Sequence, residues 1–483
     1  MKILVSLLVL FSLLAGCAVG PRYEQPAVTV PDEIRGQAGE VDAASLADRA
    51  WWEIFQDQTL QALIDEALTN AYDVRLAAWR VEEARAQAGI AGSQRFPAVQ
   101  AGAGWLRGRQ SAFVSPVTDT LELYDANLGL SWEIDLWGRV RRLHEGALAR
   151  YLATEEAQRG VLLSLVSEVA AGYFNLRALD LQLDIARRTA EAFRDTHTLF
   201  DDRLEAGLAS ALETSSARAA LADTRARIPE LERQIAAQEN ALALLLGRNP
   251  GTISRGAALN DQHLPPGIPA GLPSDLLERR PDIRRAEQEL VAANADAGVA
   301  VADFFPTLSL TGAFGGVAPQ VSELFDEGET WSVGGGLLTP IFQGRRLKNQ
   351  HRAALARWEQ AKVEFERSVT NALAEVSTAL VAYQKLIRVE SELRQAVEAS
   401  QEAVRHANSR YRSGLADYLE VLQAQQQLFP AENALARTRF DRLATLVELY
   451  RALGGGWQLD DADWAGRESR VALASVANRE AAK

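Results

Sequence analysis

The sequence predicts a mostly helical α+β fold made of two structural repeats, each with one long β-hairpin set between helices. Three observations predict it. First, landmarks recur in order. Phe96-Pro97 and Phe305-Pro306 lie 209 residues apart, and Gly138-Arg139 and Gly344-Arg345 lie 206 apart. Arg203-x-x-x-Gly207-Leu208-Ala209-x-x-Leu212-Glu213 and Arg410-x-x-x-Gly414-Leu415-Ala416-x-x-Leu419-Glu420 lie 207 apart. Chance similarity between helices explains one such match, not an ordered series. Second, at both Phe-Pro pairs the apolar period switches from three-and-four to two. Third, no proline occurs from 117 to 228 or from 341 to 429, which leaves room for very long helices.

Taken in order, Met1-Lys2 and the apolar run Ile3–Ala15 are too short to cross a membrane and read as a signal peptide over 1–16. Leu14-Ala15-Gly16-Cys17 resembles the lipobox of bacterial lipoproteins, which makes Cys17 the expected acylation site. Ala18 after it, in place of Asp, favours the outer membrane by the same resemblance. Residues 17–56 form a lipidated N-terminal segment. The first repeat, 57–251, opens with a helix over 57–95, marked by Leu60, Leu63, Ile64, Ala67, Leu68 and Ala71. Its hairpin, about 96–136, alternates Val99, Ala101, Ala103 and Trp105, then Leu128, Leu130, Trp132 and Ile134. After a linker at 252–273, the second repeat (274–457) has its hairpin at about 305–342, with Leu308, Leu310, Gly312 and Phe314, then Trp331, Val333, Gly335 and Leu337. Residues 458–483 are a C-terminal tail.

Each hairpin is followed by a long helix, Arg139 to about Ala206 and Gly344 to about Ser413. Their apolar positions step four and three (Leu162, Val166, Val169, Tyr173, Leu176; Val369, Leu373, Val376, Leu380, Tyr383, Ile387), the spacing of coiled-coil packing. Gly207 and Gly414 are the expected turning points, where glycine takes the positive φ of a helix C-terminal cap. Gly247-Arg248-Asn249-Pro250-Gly251 and Gly454-Gly455-Gly456 read as helix stops, and Arg280-Pro281-Asp282 as a helix start.

Composition narrows the function. The chain has 483 residues, 47% apolar and 24% charged, an ordinary folded balance. The 51 basic and 64 acidic side chains give a net charge of −13, which argues against nucleic acid as a partner. One cysteine and five scattered histidines offer no disulfide and no metal site, and no cofactor motif or catalytic constellation is present. An enzyme is not expected. Four amphipathic strands cannot close a barrel alone, and open edges are too costly in lipid. Three chains would supply twelve strands, within the range of outer-membrane barrels. Trp105, Trp132, Trp137 and Trp331 suit the interfacial aromatics of such a barrel.

The residues that resemble a known family are the lipobox with Cys17-Ala18-Val19-Gly20-Pro21-x-Tyr23-x-x-Pro26, Trp51-Trp52 with Phe55, Asp57 and Leu60, then Asp135-Leu136-Trp137-Gly138-Arg139, Arg280-Pro281-Asp282-Ile283, Phe305-Pro306 and Arg410-Tyr411-x-x-Gly414. Together they resemble the TolC-like outer-membrane efflux proteins, in the lipoprotein branch that serves tripartite pumps. The resemblance implies a homotrimer with a twelve-stranded β-barrel in the outer membrane, continued as a periplasmic α-helical barrel. It also implies a periplasmic adaptor (membrane fusion protein) and an inner-membrane pump as partners, contact with outer-membrane lipid through acylated Cys17, and passive conduction as the activity. The runner-up is the exit channel of a type I protein secretion system; a reading of another class is a periplasmic coiled-coil scaffold lipoprotein.

In the family the tunnel narrows at the periplasmic tip, which here falls at Gly207 and Gly414. The gate candidates are Leu415, Asp417, Glu420, Tyr411 and Arg412, with Asp201, Asp202, Arg203, Glu205 and Arg410 as weaker ones. Threefold copies of Asp417 and Glu420 would make a carboxylate ring, and Leu415 a dewetting ring. The resemblance places Glu420 at a family acidic position and Leu415 near the apolar gate, while Gln423 stands where the family has a second acid. Arg203 and Arg410 are expected to pair with neighbouring carboxylates.

Overall fold

In a computed structural model the described residues are 18–31, 33–36, 46–109, 113, 120–264 and 273–456. The expected signal peptide, Cys17 and the expected tail at 458–483 lie outside them. The chain gathers into two compact units. One contains Met1–Ala27, Arg80–Glu155 and Arg285–Arg367; the other contains Val28–Trp79, Glu156–Arg284 and Ser368–Lys483.

The first unit carries a four-stranded antiparallel sheet in the order β1 (Ala98–Arg109), β2 (Thr120–Ile134), β3 (Thr307–Ala318), β4 (Glu329–Leu338). The strands are 12, 15, 12 and 10 residues long, enough for a tilted strand to cross a bilayer. Directly opposed residues share a face, so the register sorts the side chains. Val99, Leu130, Gly312 and Val333 form one row across all four strands, and Ala101, Leu128, Phe314 and Trp331 form the next. On the other face the rows are Gln100, Gly129, Ala313, Ser332 and Gly102, Asn127, Gly315, Thr330. One face is thus apolar and aromatic, the other small and polar. Trp105 and Trp331 stand exposed on the apolar face. Trp137 is different: it stacks on Phe305 at 4.8 Å and donates from Nε1 to the Pro306 carbonyl at 2.8 Å.

A strap of N-terminal residues lies along the foot of this sheet. Val19 N–H donates to the Trp137 carbonyl (3.0 Å), and Ala18 packs on Gly138, whose φ is +83°. The Pro21 carbonyl accepts from Arg142 (3.0 Å) and Asn294 (3.3 Å), and Tyr23 Oη donates to Glu287 (3.0 Å).

Outside the sheet the described residues are mostly helical. Helix α1 (Gln58–Asn70) is separated from α2 (Tyr72–Ser93) by Ala71, at φ −56° and ψ 137°. The continuous 57–95 helix expected from periodicity is therefore broken, at a residue that is neither Gly nor Pro. The cause is tertiary: Gly247, at φ +70°, seats its turn on the Asn70 carbonyl so closely that a Cβ there would lie 2.8 Å from the carbonyl carbon. Gly454, at φ +74°, sits the same way on Arg279, where an added Cβ would lie 3.0 Å from the carbonyl carbon. The long helices α3 (Arg139–Glu205) and α6 (Arg346–Arg412) have 67 residues each, about 100 Å at 1.5 Å per residue. They are followed by α4 (Ala211–Leu245) and α7 (Tyr418–Ala452), while α5 (Pro281–Ala302) leads into β3. The heptad-like stripe is buried: Val166, Val169, Tyr173 and Leu176 are fully enclosed, with Val376, Leu380 and Tyr383 from α6 and Leu446, Leu449 and Tyr450 from α7. Trp51 and Phe55 close this core, with Phe55 edge-on to both Phe174 and Tyr450. Among the described residues no helix is long and apolar enough to cross a membrane.

Candidate functional site

Both helical turns close by the same backbone device. Gly207, at φ +71°, donates to the Leu204 carbonyl (3.0 Å), and Leu208 donates to Arg203 (2.8 Å). Gly414, at φ +70°, donates to Tyr411 (3.0 Å), and Leu415 donates to Arg410 (2.9 Å). These bonds, reaching back three and five residues, satisfy the last carbonyls of α3 and α6. Nothing lies within 4 Å of a Cβ built on either glycine, so a side chain there costs backbone strain alone. Gly414→Ala should cost about 1–2 kcal/mol and Gly414→Asn less, read from the melting of the helical circular dichroism signal.

The return helices begin differently. Ser210 and Glu213 form a capping box: Ser210 Oγ accepts from the Glu213 N–H (3.3 Å), and Glu213 Oε2 accepts from the Ser210 N–H (2.7 Å). The bond from the Ser210 N–H, and a second from the Ser210 hydroxyl to the same Oε2 (2.8 Å), hold the Glu213 carboxyl below its usual range. Asp417 occupies the N-cap position of α7, yet its side chain makes no capping bond and is exposed. Its charge faces outward rather than into the helix it precedes.

The structure brings the other candidates together selectively. Glu420 meets Arg410 at 3.2 Å, and Arg410 also donates to the Leu415 carbonyl (3.3 Å). Arg203 departs from the expectation of a carboxylate partner. It donates to the Tyr411 hydroxyl, and its guanidinium carbon lies 5.4 Å from the Tyr411 ring centre. A phenol meets both needs of an arginine, an acceptor and a π face, and it bridges the ends of α3 and α6. Asp201 pairs with His197 at 2.9 Å. Asp202, Glu205 and Arg412 are exposed, as is Leu415 at 71%.

Sequence reasoning missed what stands behind the turns. Tyr418 is buried, edge-on to Phe200 (4.7 Å) and Tyr411 (4.9 Å), and shares a hydrogen bond with Thr196. With Phe193, Leu221 and Val421 it makes a separate small core under the exposed charges. The Ser-x-x-Glu of the capping box was legible in principle; the Arg203–Tyr411 bridge joins residues 208 apart and was not. Among the described residues no cluster of His, Cys, Asp or Glu could hold a metal.

The family model described as outer membrane efflux protein matches residues 63–248 and again 272–455. The chain belongs to that family. Among its curated relatives are OprJ of Pseudomonas aeruginosa, 38% identical across 94% of this chain and 96% of its own, and the cation efflux system protein CusC of Escherichia coli, 36% identical across 92% and 97%. Of the solved structures, the outer-membrane channel OprN superposes with a TM-score of 0.85 at 34% identity, covering 92% of this chain and all of that one. The open state of the Neisseria gonorrhoeae channel MtrE gives 0.83 at 31%, covering 91% of this chain and 99% of that one. As an outer membrane efflux protein the chain has a frame for its two features: a sheet with one apolar face, and helix turns that present leucine and carboxylates.

Proposed function

We propose that the chain is one of three identical subunits of an outer-membrane efflux conduit, working with a periplasmic adaptor and an inner-membrane pump and making or breaking no bond itself. The observation that carries this is the four-stranded sheet: one face apolar, both outer strands unpaired among the described residues, and each hairpin followed in sequence by a helix of 67 residues. Twelve strands from three copies would close the barrel, and the long helices would continue the passage. The family match in two segments and the matching seats of Gly247 on Asn70 and Gly454 on Arg279 support two structural repeats. Cys17 is the proposed acylation site, one residue before a strap fixed to the sheet. Relatives named for toluene efflux and for cation efflux stand at the same 36% identity, so overall similarity assigns no cargo. Detergent-extracted protein should run at the mass of a trimer and conduct ions in a planar bilayer; a stable monomer without conductance would refute the reading.

At the turns, exposed Asp417, Arg410-paired Glu420 and exposed Leu415 support a gate in which charge selects and leucine excludes water. Asp417 is the stronger charge, because Arg410 offsets Glu420. Asp417→Asn should remove most of the cation preference, and Glu420→Gln should remove little until Arg410 is also neutralised. Reversal potentials in a salt gradient decide this: equal effects of the two single variants would refute the assignment.

A further inference from the structure

The four strands carry two basic side chains, Arg107 and Arg109, both at the hairpin end of β1. A period of two puts them on the same face as Val99, Ala101 and Trp105, which is the apolar face. The register sets their height on it. Up β2 that face runs from Ile134, at the foot, to Tyr124, a distance of ten residues. At about 3.4 Å per residue this is roughly 34 Å of strand, and at a tilt near 40° roughly 26 Å of height. The apolar band of an outer-membrane barrel is about 25 Å tall and ends in aromatic residues. Tyr124 pairs with Trp105, and the two make such a rim. The next pairs on this face are Arg107 with Glu122 and Arg109 with Thr120. Each step of two residues climbs roughly 5 Å, so the arginines stand just above the rim, at the depth of lipid headgroups.

The carboxylate beside them is already occupied. Glu122 Oε1 accepts from Trp105 Nε1 (3.2 Å) and from Tyr124 Oη (3.1 Å), which fixes the two rings of the rim. Its other oxygen, Oε2, comes no closer than 4.0 Å to Arg107 Nε, and that is the one ion pair of Arg107 among the described residues. At the foot of the same strand the arrangement is different: Glu133 takes Arg139 with both oxygens, at 2.8 and 2.5 Å. Arg109 faces a threonine in the register and is exposed. Glu329 lies on the same face but at the opposite edge of the sheet, on β4. Two guanidinium groups therefore keep most of their N–H donors for an outside acceptor. β2 leads into α3 from its Ile134 end and β4 into α6 from its Leu338 end. The arginines lie at the other end of the sheet, which in the conduit reading meets the outer leaflet.

We infer that Arg107 and Arg109, above the Trp105–Tyr124 rim, bind the phosphate headgroup of a phosphorylated glycolipid in the outer leaflet. The inference rests on the outer-membrane conduit reading and adds to it a lipid held at a stated place. The chemistry of the site selects the headgroup. A phosphate monoester presents several anionic oxygens, and the planar fork of a guanidinium matches them with paired N–H donors. Two residues apart on one strand, the arginines stand about 7 Å apart at the backbone, so their long side chains converge on one phosphate or take one each. Both reach upward from an apolar surface, which keeps the charge wet and the stem of the side chain packed. A zwitterionic headgroup sets its own amine against the same phosphate and gains less. The acyl chains of the bound lipid lie down the rows that begin at Ala101–Leu128 and Val99–Leu130, where the face is apolar to the foot.

The test uses the full lipidated chain in detergent, titrated with bisphosphorylated lipid A, with native mass spectrometry counting the lipid bound. Arg107→Gln with Arg109→Gln should weaken lipid A binding roughly tenfold or more while the oligomer mass and the bilayer conductance stay as in the parent. The parent should bind zwitterionic phosphatidylethanolamine less tightly than lipid A, and inorganic phosphate at the concentration of the lipid should not displace it. Unchanged lipid A binding in the double variant would overturn the inference, as would equal affinity of the parent for phosphatidylethanolamine. Displacement by inorganic phosphate would make this a site for a free anion and overturn the lipid as its occupant. Should the double variant fail to assemble, Arg109→Gln alone decides, with a loss of roughly threefold or more expected and no loss refuting. Conductance that persists while lipid binding fails leaves the conduit standing; a parent chain that is monomeric and does not conduct brings down the conduit reading itself.

Discussion

Replacing Glu390 by alanine should destabilise the helical unit by about 3–5 kcal/mol, the cost of leaving buried guanidinium groups without their counter-charge. Glu390 is only 4% exposed and accepts from Arg442 (2.9 Å), Arg439 (3.2 Å) and Arg394 (2.8 Å). Arg439 and Arg442 are themselves largely buried, and Arg442 lies over the Tyr383 ring at 5.3 Å. Arg394 is more than half exposed, so its share of the loss is small. Glu390→Gln retains one acceptor and should cost markedly less. Thermal unfolding followed by the helical signal in detergent measures both; a loss below about 1 kcal/mol for the alanine variant would mean that the two arginines find water instead.

Asp57→Ala should cost about 3 kcal/mol through a different mechanism, the orphaning of several donors at once. Oδ1 caps α1 by accepting from Thr59 N–H (2.8 Å) and Leu60 N–H (3.3 Å). Oδ2 accepts from Tyr173 Oη (2.9 Å), Ala257 N–H (3.0 Å) and Gln262 Nε2 (2.8 Å). One carboxylate thus joins α1, α3 and the loop that follows α4. Burial pushes both carboxyls up, but hydrogen bonds outweigh it: Gln262 and Tyr173 hold Asp57 below its usual range, and Arg442, Arg439 and Arg394 hold Glu390 below its own. The unfolded chain therefore binds the extra protons first as pH falls past the ordinary values of 3.8 and 4.5. The stabilisation is full above about pH 5 and fades progressively below it. Between pH 6 and 3 the melting temperature of Asp57→Ala should fall less than that of the parent; parallel slopes would rule out Asp57 as a source of acid lability.

Much of the fold is written in local pattern. Alternation at Val99–Trp105 and Leu308–Phe314 marks strands because a sheet with two different faces enforces a period of two. Arg-x-x-x-Gly-Leu-Ala marks both turns because only glycine accepts the positive φ without strain. What stayed hidden depends on distant partners. Ala71 interrupts a helix because Gly247 presses on the residue before it, and no propensity records that contact. Arg203 chose a tyrosine near the end of another helix. The three arginines on Glu390 come from two helices, one of them only four residues away, and a charge count sees them as ordinary surface. Asp57 read as part of a motif without a role; its partners at 173, 257 and 262 supply the role.

The strap along the sheet has a consequence for depth. Ala18 rests on Gly138, in the turn between β2 and α3, and Cys17 is joined to it by one peptide link, about 3.8 Å between Cα atoms. An acyl group at Cys17, as proposed above, would have almost no slack. Lipid tails and strands would then sit at a fixed height relative to each other, and the attachment would work as a plumb line for the bilayer plane rather than as a loose leash.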